Sequence, residues 1–296
     1  MEAHRGKKLS DTEKSEQISI ETFPRGNAVP KQSPIFWAEN KDRFLRQLMI
    51  RDIESLTGRP LGVYYAQRSM QSGITTSDVD RLHELVSDID HAPFDLIVET
   101  QGGETDAAEA MISVLLAAKH PFRAIVPNRA KSNGTLICLA SEAIVMGPPS
   151  ELGPIEPLLD GKIPVTAIIG KSIPGGEGDD PESAFNINKF HAVHALRQTE
   201  SVGRYALKQG MLKDSAGDID EAIKNLCGRH KFPSHGSVID ATQAEEIGLK
   251  IVRLSSDDDL WQRIWLLYCM LMHDTKLRNI RKVFESKKVS LSVLWE

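Results

Sequence analysis

Two short patterns in the sequence hold residue types suited to acyl transfer. In VETQGGETDAAEA a glycine pair, Gly102 and Gly103, follows an apolar run; thirty residues later, in VPNRAKSNGTLICLASEAIVMG, Ser132 stands between a predicted strand and a predicted helix. Attack on a carbonyl needs a hydroxyl held where the carbon can reach it and N–H groups aimed at the oxygen that becomes negative. Glycine lets backbone approach without side-chain obstruction, and a helix start supplies unpaired N–H groups. Each pattern also has a plainer reading. Ser132 could be the N-cap of the helix that follows it, and the glycines could form a simple tight turn.

These residues need a frame, and the surrounding sequence predicts one. Phe44, Leu45, Leu48, Met49 and Ile53 recur at helical spacing between Asn40 and Ser55, and LGVYYA then reads as a strand. TTSDVDRLHELVSDI predicts a helix with Thr76 or Ser77 at its N-cap, and FDLIVET a strand buried on both faces. AAEAMISVLLAAK, FRAIVP, SNGTLICLASEA and AIVMG continue the alternation of helix and strand, which implies βαβ crossovers and a parallel sheet. SIPGGEGDDPES reads as a mobile excursion or a loop near a site; FNINKFHAVHALRQTESVGRYALKQGML predicts one long amphipathic helix and ATQAEEIGL a short one ending at Gly248. The tail DLWQRIWLLYCMLMHDTKLRNIRKVFES is predicted helical throughout, with Trp261, Ile264, Trp265, Leu267, Tyr268 and Met270 as a packing face.

Composition narrows the function classes. The 296 residues are 41% hydrophobic and 26% charged, ordinary for a globular chain, and a net charge of -5 argues against binding nucleic acid through its phosphates. Cys138, Cys227 and Cys269 are odd in number and widely spaced, so neither a disulfide framework nor a CxxC metal site is expected. His191 and His194 lie three apart on one helix face without a third ligand at metal spacing, so no metal and no cofactor are predicted. The polar start lacks the apolar core of a signal peptide and no stretch approaches a membrane span, which places the protein in the cytoplasm. Residues 1–40 are expected to be a disordered or partner-bound arm, 41–253 the folded domain and 254–296 a C-terminal helical extension.

The diglycine, SNGT, the following CLASEAIVMGPPSELGPIEP, TGRPLGVYY upstream and FPSHGSVIDATQAEEIGLKI downstream, in this order over roughly Asn40 to Val252, resemble the serine dehydrogenase proteinase family. That family is similar to signal peptide peptidase A and, more distantly, to the Clp proteolytic subunit. The resemblance implies a Clp protease/crotonase-like spiral of βαβ units with helical additions at both ends, assembling as a homo-oligomer. It implies a serine peptidase acting on peptide or protein substrates, with Ser132 as nucleophile. The Gly103 and Asn133 amides would form the oxyanion hole, and Gly102 would permit the turn.

The general base is where the sequence departs from its relatives. The Clp subunit uses a histidine roughly 25 residues after its serine, and that region here is SELGPIEP. Signal peptide peptidase A uses a lysine, which must be buried enough to be neutral. By that analogy Lys171, 39 positions beyond Ser132 in GKSIPGG, is the first candidate, with Lys189 and His235 as alternatives. Arg129 and Lys131, beside the nucleophile, read as solvent or partner contacts; Glu151 and Glu156, in ELGPIEP, read as groups that orient a partner or cap the next element, with no paired acid-base role. Two rival readings share the fold: a catalytically silent scaffold or binding module, and a crotonase-like acyl-CoA enzyme that would not need Ser132. QGGETD is not GxGxxG, so no dehydrogenase is predicted.

Overall fold

A computed structural model of the chain describes residues 33–159, 163–169, 181–214 and 218–295. The chain divides into two units at Lys41 and Asp42, and the sheet and the candidate site residues belong to the second. The first helix, α1 (Pro34–Thr57), begins earlier than Asn40: Pro34 suits a first helical position, and the Ser33 hydroxyl accepts the Phe36 N–H at 3.1 Å.

Elements then alternate: β1 (Leu61–Ala66), α2 (Ser77–Ile89), β2 (Phe94–Glu99), α3 (Thr105–Leu116), β3 (Phe122–Val126), β4 (Arg129–Ala130), α4 (Asn133–Leu139), β5 (Ile144–Met146) and β6 (Glu151–Leu152). After β7 (Leu158–Leu159) and β8 (Ile163–Pro164) come helices α5 (Val165–Ile169), α6 (Pro181–Gln209), α7 (Ile219–Cys227) and α8 (Ala241–Glu246). The chain closes with β9 (Ile251–Arg253), α9 (Asp259–Leu277), β10 (Ile280–Glu285) and β11 (Ser290–Leu294). Among the described residues no helix is long and apolar enough to cross a membrane.

The central sheet has the order β11-β10-β1-β2-β3-β5-β9. From β1 to β9 the strands are parallel, and β10 and β11 are added antiparallel at one edge. Side chains alternate across it. Tyr64, Phe94, Leu96, Val98, Ala124 and Val126 enter a core shared with α2, α3, α4 and α7. Val63, Tyr65, Ile97, Ile125 and Val145 face Ile50, Ile53, Trp261, Ile264 and Leu267 on α1 and α9. Burial on both faces explains the unbroken apolar run of β1 and the Leu96–Val98 run of β2.

After each of three successive main strands the chain turns into a second, shorter ladder before its next helix. Thr100 follows β2, Ala130 follows β3 and Leu152 follows β5; Thr100 bridges Ala130, β4 pairs with β6, and Leu152 bridges Ile239. This repeated turn makes the unit a spiral of βαβ segments and brings residues of distant number side by side.

Two expectations need correction. The helix at the C-terminus stops at Leu277, and the segment IRKVFE is a sheet strand rather than its continuation. Thr76 stands at the N-cap of α2 without a side-chain cap bond, and the Asp78 carboxylate accepts the Thr75 N–H at 3.0 Å instead.

Candidate functional site

Ser132 sits at the junction of β4 and α4 with φ 51° and ψ -120°, a backbone conformation rare for a residue with a side chain. The ladder enforces it. Thr100 donates its N–H to the Arg129 carbonyl at 3.0 Å and accepts the Lys131 N–H at 3.0 Å, pinning the chain just before the serine. Thr135 Oγ1, fully buried, lies 2.6 Å from the Ala130 carbonyl and accepts the Gly153 N–H at 3.0 Å just after it. Although Ser132 occupies the N-cap position its hydroxyl makes no cap hydrogen bond, and its side chain is half-buried.

The diglycine bend lies against this serine. A Cβ on Gly102 would stand 2.8 Å from Ser132 Cβ and 3.2 Å from the Asn133 nitrogen. Both glycines have positive φ, +98° and +155°. The bend is held from the far side by Ile74, which donates its N–H to the Gly102 carbonyl at 2.7 Å and accepts the Glu104 N–H at 2.9 Å. In this extended pairing the N–H and C=O of Gly103 both turn away from Ile74. The carbonyl accepts Asn133 Nδ2–H at 2.6 Å, so the Gly103 N–H opens toward the same side as Asn133. The Gly102 N–H is already taken by Thr100 Oγ1 at 3.2 Å, so that glycine supplies close approach rather than a free donor. Asn133, the first residue of α4, has no intrahelical acceptor for its own N–H.

Buried carboxylates brace this corner. Glu99, at the end of β2, accepts the N–H groups of Asn128 and Arg129 at 3.2 and 2.9 Å. Burial pushes its carboxyl up to about 8, against the pull of those amides and of the Arg68 and Arg129 charges. Lys131 is not the solvent or partner contact its position beside the nucleophile suggested: only 11% of its side chain is exposed. Its ammonium donates to the carbonyls of Leu152 (3.0 Å) and Ser237 (2.9 Å) and lies 3.4 Å from Glu151. Burial lowers its pKa and Glu151 opposes the shift. Arg129 also pairs with Glu151, at 3.6 Å.

The two described base candidates lie in different places. Lys171 lies outside the described residues, as does most of SIPGGEGDDPES. Lys189 is exposed on α6. His235 is half-buried in the loop before α8, where burial lowers its pKa and the Glu156 carboxylate opposes the shift. Its Nδ1 is buried with no hydrogen-bond partner among the described residues. Glu156 is itself buried; it accepts the Thr166 N–H at 3.1 Å and lies 3.7 Å from Arg229. His191 and His194 are both exposed beside Phe190. Cys138, six residues past Ser132 and within α4, is fully buried and its thiol is pushed far up by burial, so it is no candidate nucleophile.

Sequence comparison adds a family context. Residues 67–278 match the family described as ClpP-like SDH-type serine proteinase. Two uncharacterized proteins of Methanocaldococcus jannaschii are similar over 159 residues. One is 31% identical, with 54% of this chain and 53% of the relative covered; the other is 26% identical, with 54% and 52% covered. The chain thus spans about half the length of the curated relatives it matches. Among solved structures, a mutant of the membrane-bound stomatin-specific protease 1510-N superposes with a TM-score of 0.39 at 18% identity, over 63% of this chain and 76% of that one. A mutant of ClpP1 from Listeria monocytogenes superposes at 0.42 and 13% identity, over 70% and 98%.

Proposed function

This chain belongs to the ClpP-like SDH-type serine proteinases, and from that membership we propose that it hydrolyses peptide bonds through an acyl-enzyme on Ser132. The observation that carries the reading is the contact between the diglycine bend and the serine corner. It supports a hydroxyl without a cap bond next to the backbone of Gly102 and Asn133, with the Asn133 side chain bonded to Gly103. In this scheme Ser132 Oγ attacks the carbonyl carbon while a base takes its proton, and the Gly103 and Asn133 amides receive the oxyanion. Collapse of the tetrahedral intermediate expels the amine, protonated by the same base, and water then releases the acid.

Lys171 is the proposed base, forming a Ser-Lys dyad. Lys189 and His235 are the alternatives, and His235 has one specific feature in its favour: a half-buried imidazole whose pKa is lowered and whose Nδ1 has no protein partner among the described residues. The substrates are peptides or proteins and the working form is a homo-oligomer, in the cytoplasm, where three free thiols would stay reduced.

Labelling with a fluorophosphonate probe tests the scheme. Wild type should be labelled and Ser132→Ala should not. Lys171→Met should slow labelling at least tenfold while His235→Gln leaves it nearly unchanged; the reverse ranking moves the base to His235. Folded wild-type protein that neither reacts with the probe nor cleaves a denatured protein substrate would leave the chain a scaffold. Peptide hydrolysis that persists in Ser132→Ala would remove the serine from the chemistry.

A further inference from the structure

The C-terminal hairpin lies outside the family match, which ends at residue 278, yet it sends one side chain to Thr75, the neighbour of the Ile74 that pairs with the diglycine bend. Lys282 is on β10, opposite Ala66 of β1, and its side chain is fully buried. Its ammonium stands 2.6 Å from Asp78 Oδ2, on an equally buried side chain, and 3.3 Å from Thr75 Oγ1. The same Asp78 oxygen accepts the Thr75 N–H at 3.0 Å and the Tyr64 hydroxyl at 3.4 Å. Thr75 directly follows Ile74, whose own N–H and C=O make the two backbone bonds to Gly102 and Glu104. A path of contacts therefore runs from the hairpin through Lys282, Asp78 and Thr75 to the residue that holds the bend.

A buried ion pair is a costly way to fill an interior, because the desolvation of two charges offsets most of their attraction and apolar residues of similar volume often serve stability as well. What a charge pair supplies that apolar packing does not is direction: three donors converge on one carboxylate oxygen and fix where Thr75 stands. Placement matters at this point. Gly103 is packed so closely on Ile74 that a Cβ there would lie 2.2 Å from the Ile74 nitrogen, so any shift of Ile74 moves the Gly103 amide with it.

We propose that Lys282 is a positioning residue for the oxyanion site, and that the C-terminal hairpin is the element through which this chain sets the Gly102–Gly103 bend. The proposal rests on the peptidase reading for its kinetic consequence and on the contact path alone for its structural one. Asp78→Asn/Lys282→Met tests it. Lys282→Met by itself leaves an unpaired buried carboxylate and can unfold the chain; the double variant removes both charges while the carboxamide oxygen introduced at position 78 can still accept the Thr75 N–H.

Two measurements are made on the folded full-length double variant. The first is hydrogen exchange by peptide mass. Protection should fall in the segments covering 73–78 and 101–105 while strands β2 and β3 keep theirs; unchanged protection of 101–105, or an equal loss across all strands, overturns the proposal. The second is fluorophosphonate labelling of Ser132 over a range of probe concentrations. The maximal labelling rate should fall about tenfold to a hundredfold, the scale of a misplacement near 1 Å. The half-saturating concentration should change less than twofold. A wild-type maximal rate in the variant overturns the positioning role. Should wild type itself go unlabelled, the peptidase reading fails, and the exchange measurement still decides whether the hairpin holds the bend.

Discussion

Adding one methyl group at Gly102 should silence the site while leaving the fold standing. Gly102 has φ +98°, and the new Cβ of Gly102→Ala would meet Ser132 Cβ at 2.8 Å, the Lys131 carbonyl at 3.0 Å and the Asn133 nitrogen at 3.2 Å. Carbon atoms rest at about 3.5–4.0 Å, so the serine and the bend must separate by about 0.7–1.2 Å. A displacement of that size costs about a hundredfold in rate, and crowding one oxyanion donor costs on the order of a hundred to a thousandfold. The two effects act on the same atoms and do not add. A loss of about two to three orders of magnitude in the rate constant for fluorophosphonate labelling is therefore expected. The backbone penalty for a side chain in this conformation is about 1–3 kcal/mol, which for a chain of this size lowers Tm by about 2–4 °C per kcal/mol. Gly58→Ala is the matched control. It has φ +67°, and nothing lies within 4 Å of its added Cβ, so it should carry the backbone penalty without the crowding and label at the wild-type rate. Folded Gly102→Ala that labels within twofold of wild type would falsify the placement of the bend against the serine.

Glu99 and Arg46 give two further tests. The Glu99 carboxyl is raised to about 8, so the folded state binds its proton more tightly than the unfolded chain; its stabilisation is complete below the usual carboxylate range and is lost as pH rises through 8. Glu99→Gln should flatten that fall in Tm between pH 6 and pH 9, and an identical pH profile in the variant would contradict it. Arg46 Nη1 lies 2.6 Å from Asp274 and its Nε 2.7 Å from Glu285, all three side chains being buried or nearly so. Arg46→Met should cost about 3–5 kcal/mol in urea unfolding, because it strands two buried carboxylates; a loss below about 1 kcal/mol would mean that those carboxylates find other partners or stay protonated.

What could be read from the sequence follows the physics of each signal. LGVYYA and the LIV of FDLIVET are apolar on consecutive positions because both faces of the sheet are covered, and short length and β-branching then identify them as strands. The glycines before α3 and the serine before α4 were visible because turn chemistry is local. The strand Ile280–Glu285 was not visible. It adjoins a helix without a glycine or proline stop, and its buried Arg46-bound Glu285 and Asp78-bound Lys282 look like a solvated helix face when their partners, 239 and 204 residues away, are unknown. Lys131 misled for the same reason: a cation beside a candidate nucleophile reads as surface until the carbonyls of Leu152 and Ser237 are found next to it. Ile74 carries no signal at all, since it acts through its backbone.

The conformation of Ser132 has a consequence for how such proteins drift over time. A residue with a side chain at φ 51°, ψ -120° carries about 1–3 kcal/mol of strain that glycine at the same place would not. The fold would be sturdier without a side chain at this position. Selection for robustness alone would therefore erode this position toward glycine, and Ser132→Gly is expected to melt later than the wild-type chain.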